Sequence, residues 1–234
     1  AAVPFLPLPY VESWPYIFAS VLLHLGYQLF LVKAYVYGDL GQVYPIARGI
    51  SPLLLGFITV FWIGEELTLQ MMSAIGLISL GIFSLMFPGK MSIKYRFRPI
   101  IYALATGSFI AAYTLADGVG VRASGNAASY VLWLMALECL PLLGITLILR
   151  KRTVFSSIHK NWKYAVPGGF LSLSAYWIVI WAMQHAPIAL VSAIRESSVV
   201  IVALMSIWVL KEETTVKHLL SAVMVAVGVI LTQL

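Results

Sequence analysis

The sequence predicts an all-α, polytopic membrane protein of about eight transmembrane helices. Three observations carry that class. Hydrophobic residues make up 61% of the 234, charged residues only 10%, and the mean hydropathy is +0.94. A soluble domain carries about 25% charge and about 45–50% apolar residues, so this set cannot build a water-facing surface. Charged residues also divide the chain into uncharged runs close to the roughly 20 residues one helix needs to cross a hydrocarbon core. These runs lack the alternation of a membrane strand, which leaves helices as the spanning structure. Soluble enzymes, disordered chains, coiled coils and disulfide scaffolds fit poorly on the same grounds. The lone Cys139 permits no internal disulfide and, in an apolar run, reads as packing.

The elements follow in order. Residues 1–9 are apolar, too short to span and without the basic region of a signal peptide; they read as the tail of a helix that begins upstream. Twenty uncharged residues between Glu12 and Lys33 make the first span. The second follows Gly41 and continues to Ile63, interrupted by Arg48, and the third runs from Leu67 to Phe87. A basic hinge (Lys90, Lys94, Arg96, Arg98) precedes a fourth span over about 99–119. The fifth covers about 129–149 with Glu138 inside, and a second basic loop holds Arg150, Lys151, Arg152, Lys160 and Lys163. The uncharged stretch from Tyr164 to Ile194 is too long for one span. His185-Ala186-Pro187 breaks it, because proline disfavours helix in the residue before it. That gives a sixth span to about Gln184 and a seventh from about Pro187 to Leu210. An eighth runs from about Val216 to Leu234.

Lys and Arg sort by side under this division. Lys33, the four residues of the hinge, the five of the second loop, Lys211 and Lys217 fall on one face, twelve in all, against Arg122 on the other. Arg48 and Arg195 lie within spans. The twelve-residue face is predicted cytoplasmic, with the segments 88–98 and 150–163 inside a bacterial inner (plasma) membrane and both ends of the sequence outside. The net charge of +6 therefore sets orientation. It is not a nucleic-acid footprint, which needs basic residues clustered on one exposed face.

An internal repeat organises the spans. At an offset of 147, Arg48 meets Arg195, Ser51 meets Ser198, Glu65-Glu66 meets Glu212-Glu213, Thr68 meets Thr215 and Gly81 meets Gly228. The charged matches persuade most, because charges are scarce here. The expected units are 1–87, holding the last three helices of a first copy and the end of a preceding one, then a connecting loop 88–98, then a complete five-helix copy over 99–234. Two spans, about 50 residues by this repeat arithmetic, are expected to be missing from the truncated first copy. An odd number of helices per copy inverts one copy relative to the other, a plan of secondary transporters with the site near the midplane.

Several segments carry a resemblance. Tyr44-Pro45-Ile46-Ala47-Arg48-Gly49 opens a span that ends in Gly64-Glu65-Glu66-Leu67-Thr68, followed by a helix with Gly76 and Gly81. Ala186-Pro187-Ile188-Ala189 and Arg195-Glu196-Ser197-Ser198 lead to Lys211-Glu212-Glu213, and residues 111–118 read Ala-Ala-Tyr-Thr-Leu-Ala-Asp-Gly. Together these resemble the EamA-type branch of the drug/metabolite transporter superfamily over nearly the whole chain. The resemblance implies ten spans in two inverted five-helix repeats and transport, often export, of small metabolites.

Candidate site residues follow from the cost of polarity in lipid. A charge within the hydrocarbon costs about 2.5–3.5 kcal/mol on insertion scales, so such residues face a cavity or a partner. Arg48 and Arg195 approach from opposite sides in inverted copies, which places them across a central cavity to recognise a carboxylate or phosphate, or in an architectural ion pair. Glu196 either carries a coupling proton or neutralises an arginine. It need not pair with Arg195, since helix neighbours point about 100° apart. Glu138 has the same two readings. His24 and Gln28 share a face and line a cavity or bond to each other across helices. Tyr44 begins the Arg48 span. Tyr113 shares a face with Asp117, which is expected to be solvated near the outer boundary. Trp177 and Trp181 line an amphipathic substrate site or form an interfacial belt. The Glu65-Glu66 and Glu212-Glu213 pairs read as span boundaries.

The expected function is secondary transport of a small polar or amphipathic metabolite by alternating access, without cofactor or metal. The expected partners are that metabolite and the lipid bilayer, with a homodimer compatible and no nucleic acid. A non-transporting scaffold or assembly subunit is the alternative, and an intramembrane enzyme a weaker one. No His-Glu-x-x-His, Gly-x-Ser-x-Gly or Gly-rich phosphate motif is present.

Overall fold

The computed structural model describes residues 7–38, 40–84, 97–150, 153–198 and 216–232. Outside them lie the hinge residues Lys90, Lys94 and Arg96, Lys151 and Arg152, the far half of the expected seventh span and Lys211-Glu212-Glu213. The described chain is helical, with no strand among the described residues. The helices are α1 (Trp14–Tyr37), α2 (Leu40–Ile58), α3 (Leu69–Ser84), α4 (Phe97–Ala123), α5 (Ala127–Arg150), α6 (Thr153–Met183), α7 (Ile188–Glu196) and α8 (Val216–Leu231). Among the described residues, five segments are long and apolar enough to cross a membrane: Val11–Tyr37, Val43–Ile63, Phe97–Ala123, Ala127–Ile148 and Lys160–Met183.

Local chemistry sets the ends. Thr68 Oγ1 accepts the Met71 N–H at 3.2 Å and Asn126 Oδ1 the Ser129 N–H at 3.1 Å, capping α3 and α5. A π-helical turn, Thr59–Ile63, extends α2 to Gly64, whose φ of 75° lets the Glu65 N–H fold back to the Thr59 carbonyl at 3.0 Å. Pro45, Pro52, Pro141 and Pro167 lie inside helices, as lipid-embedded helices tolerate. The break at His185-Ala186-Pro187 is present: α6 stops at Met183 and α7 begins at Ile188.

Three boundaries differ from expectation. The segment 150–163 is not a loop over most of its length, because α6 begins at Thr153 and carries the exposed Lys160 and Lys163 in its opening turns. Its 31 residues make about 46 Å at 1.5 Å per residue, longer than the roughly 30 Å hydrocarbon core. Lys33 and Arg98 likewise sit inside α1 and α4. Long basic stems reach water from within a helix, so a basic residue does not mark the helix end.

The chain divides into two compact units, residues 1–25 with 116–185 and residues 26–115 with 186–234. In the first, Ile17, Val21, Val121, Tyr130, Leu134, Ile180 and Met183 are buried. Gln184 Nε2 donates to the Val121 carbonyl at 3.0 Å and Arg122 Nε to the Met183 carbonyl at 2.9 Å. On α6, Phe170, Leu171 and Ile178 are exposed, an apolar surface suited to lipid. Cys139 is exposed on α5, so it does not pack in the core as its apolar run suggested.

In the second unit, α1 and α4 meet through aromatic rings in antiparallel register. Tyr27 pairs with Tyr113 at 5.7 Å, Phe30 with Phe109 at 5.2 Å, and Tyr37 stacks on Tyr102 at 5.4 Å. Helices α3 and α8 meet through glycines. A Cβ on Gly81 would lie 2.7 Å from Val225 Cγ2 and 3.2 Å from the Ser221 carbonyl oxygen, and one on Gly228 would lie 2.7 Å from Ile78 Cγ1 and 3.1 Å from the Ala74 carbonyl oxygen. Gly81/Gly228, Ile78/Val225 and Ala74/Ser221 are each separated by 147 positions, so the two halves of this contact repeat one another. Ser221 Oγ adds a 2.6 Å bond to the Gly81 carbonyl.

Candidate functional site

Within the second unit, α2 and α7 bring three charges together. Glu196, the last residue of α7, is fully buried. Arg48 Nη1 from α2 donates to both of its oxygens, at 3.0 Å to Oε2 and 3.3 Å to Oε1. Arg195 donates to Oε1 through Nη2 at 2.8 Å and Nε at 3.0 Å. Its Nη2 also lies 3.4 Å from Thr114 Oγ1 on α4.

Both arginines hold one carboxylate, as in the ion-pair reading of the two. Glu196 is neutralised by Arg48 and pairs with its neighbour Arg195 as well. The guanidinium stem is long enough to close the 100° between adjacent helix positions, and low polarity around the pair strengthens that closure.

Aromatic rings surround the cluster. The Arg48 guanidinium carbon lies 5.4 Å from the centre of the Tyr44 ring, one helical turn earlier, a cation–π contact. Tyr113 and Tyr27 are also within electrostatic reach of Arg48. The guanidinium-bearing side chains keep 24% (Arg48) and 15% (Arg195) of their surface exposed, whereas Glu196 keeps none. With all three groups ionised the cluster carries one excess positive charge, and it presents that charge on its arginine side. Such an arrangement can receive a carboxylate or phosphate, since guanidinium donors match those anions two at a time.

The structure thus gathers five of the expected residues: Arg48, Arg195, Glu196, Tyr44 and Tyr113. Gln28 is half-buried in the same unit, next to Tyr27. His24 belongs to the other unit, where it is buried and bonded to Ser20. Glu138 is half-buried in that unit, within electrostatic reach of His24 and Asp117. Trp177 and Trp181 are 48% and 54% exposed on α6. Asp117 is not solvated; it is fully buried and accepts bonds from Tyr130 and Tyr176.

Three residues take places that the sequence did not assign to them. Tyr27 and Thr114 complete the arginine cluster, and Thr114 follows directly on Tyr113. Glu65, read as a span boundary, receives the Ile188 N–H on both carboxylate oxygens at 3.1 Å. It therefore caps α7, whose own N-cap, Pro187, offers no side-chain acceptor. Among the described residues, no three His, Cys, Asp or Glu side chains converge as metal ligands.

Comparison with known proteins agrees with this architecture. Residues 97–234 match the EamA-like transporter family. No curated protein matches the sequence. Among solved structures, one protein known from a crystal structure is 17% identical, with a TM-score of 0.72 over 98% of this chain and 79% of that one, a likeness of fold. More than half of the chain lies in the matched family region, the fold is an apolar helical assembly, and charged side chains are buried inside it: the chain belongs to the EamA-like transporter family.

Proposed function

We propose that the protein is a secondary transporter of a small anionic or amphipathic metabolite, bound at the Arg48–Glu196–Arg195 cluster. One observation carries the reading: two guanidiniums from α2 and α7 converge on a single buried carboxylate while both remain part-exposed. Arg48 gives Glu196 only Nη1, so its Nε and Nη2 donors lie outside that pair. A metabolite carboxylate or phosphate would take those donors and compete with Glu196 for the guanidiniums. Glu196 then serves as a resident counter-ion that holds the arginines when substrate is absent and yields when it arrives. Exchange of one anion for the other gives the two states that alternating access needs. Tyr44 and Tyr113 would hold an apolar portion of the substrate beside the charged end.

The basic segments 88–98 and 150–163 face the cytoplasm in this reading, following the excess of Lys and Arg on that side. The test is uptake by the full-length protein in proteoliposomes across carboxylated, phosphorylated and neutral metabolites. Anionic metabolites are expected to be moved, and Arg48→Ala and Arg195→Ala each to abolish the movement. If both variants bind and transport as the parent does, the site assignment fails. Conversion of a metabolite in detergent, without a vesicle, would point instead to an enzyme.

A further inference from the structure

The first unit holds a second buried acid that the arginine cluster does not use. Asp117 on α4 is fully buried. Its Oδ1 accepts the Tyr130 hydroxyl of α5 at 3.1 Å, and its Oδ2 accepts the Tyr176 hydroxyl of α6. From α1, His24 is 6% exposed and sets its ring edge-on to Tyr176, 6.0 Å between centres. His24 Nδ1 lies 3.0 Å from the Ser20 carbonyl and 3.1 Å from the Ser20 hydroxyl. Glu138 of α5 is within electrostatic reach of both His24 and Asp117. Among the described residues, the groups facing Asp117 are therefore Ser20 and His24 from α1, Tyr130 and Glu138 from α5, and Tyr176 from α6.

This setting contrasts with Glu196. There, two guanidiniums with permanent charge hold the carboxylate. Here the carboxyl oxygens accept neutral hydroxyls, and the basic group acting on Asp117 is the buried His24 rather than a guanidinium. A carboxyl buried in an apolar, membrane-spanning chain and served by neutral donors is the arrangement that admits a proton.

We propose that Asp117 is a proton-binding site, separate from the arginine cluster, whose occupancy is transmitted to α5 and α6 through Tyr130 and Tyr176. The balance is simple. One proton adds to a carboxylate oxygen and a neutral carboxyl results. That oxygen now donates, whereas both oxygens accepted before. The hydroxyl that oxygen had accepted, from Tyr130 on Oδ1 or Tyr176 on Oδ2, is then held more weakly or turns to accept, and a hydroxyl can do either. Binding on α4 thus rewrites a contact to α5 or α6 without moving the acid.

The experiment uses the full-length protein in lipid nanodiscs and infrared difference spectra recorded on a change of pH, with protons as the only probe. Acidification is expected to raise the C=O band of a protonated carboxyl. Asp117→Asn is expected to remove it and Glu138→Gln to leave it. Tyr130→Phe and Tyr176→Phe should keep the band while shifting its frequency and titration midpoint, since each deletes a hydrogen bond to the group. A band that survives Asp117→Asn, or that vanishes with Glu138→Gln, overturns the assignment. So does a midpoint that moves with sodium at fixed ionic strength, which would mark a metal-cation site. If Asp117→Asn fails to fold, the tyrosine variants decide: a band unmoved in both refutes the proposal. Because no transported substrate enters the measurement, its failure is distinct from failure of the transport reading.

Discussion

Gly81 and Gly228 hold α3 and α8 together, and the cost of filling them follows from the geometry. An alanine at either position brings its Cβ to 2.7 Å from a branched side-chain atom, Val225 Cγ2 or Ile78 Cγ1. Ordinary contact begins at 3.4 Å, so the shortfall is at least 0.7 Å. The obstructing side chains are β-branched and stiff at χ1, and each added Cβ also lies only 3.1–3.2 Å from a backbone carbonyl oxygen, so the helices must separate. Overpacking of this kind costs about 1–3 kcal/mol per site. Gly76→Ala in the same helix is the control, because a Cβ there meets nothing within 4 Å. It should be neutral or gain up to about 1 kcal/mol in helix propensity. The double variant Gly81→Ala/Gly228→Ala should cost less than the sum of the singles, by about 0.5 kcal/mol or more, because one separation admits both methyl groups. Equilibrium unfolding in detergent, followed by tryptophan fluorescence, measures all four proteins. Gly81→Ala as stable as Gly76→Ala, or strict additivity in the double variant, would refute the reasoning.

Three further outcomes are expected. Glu65→Ala should destabilise by about 0.5–2 kcal/mol in the same unfolding assay, the range for a lost N-cap, and Glu65→Gln by less, because an amide oxygen can still accept the Ile188 N–H. Glu196→Ala should cost about 3–5 kcal/mol, since it removes the carboxylate that both guanidiniums hold, whereas Arg48→Ala should cost less because Glu196 keeps Arg195; the reverse order in thermal denaturation would contradict the paired geometry. With the exposed Cys139 first replaced by serine, a cysteine introduced at Ser92 should react with a membrane-impermeant maleimide only from the cytoplasmic side, and one at Ala123 only from outside. Labelling of Ser92→Cys from outside would overturn the orientation.

Much of the fold was legible because lipid imposes few rules. Apolar runs located the helices, and the proline at 187 and the glycine at 64 located two of their ends. Charge was less reliable as a boundary: Lys33, Arg98, Lys160 and Lys163 all lie within helices. The members of the arginine cluster stood out because intramembrane charge is expensive, but their arrangement did not. Which carboxylate an arginine finds depends on helix packing, and Arg48 reaches a residue 148 positions away. Asp117 misled for the same reason. Its position near a helix end suggested water, while α5 and α6 supply the hydroxyls that bury it.

The cap on α7 has a consequence for synthesis. Its acceptor, Glu65, precedes its donor, Ile188, by 123 residues. At about 5–20 residues per second the carboxylate waits roughly 6–25 s for its partner. The first turn of α7 therefore emerges with its leading amide unserved and is completed only when the chain has returned to the α2–α3 corner. Closure of this unit is thus a late event in biogenesis, timed by the arrival of a helix that cannot finish its own beginning.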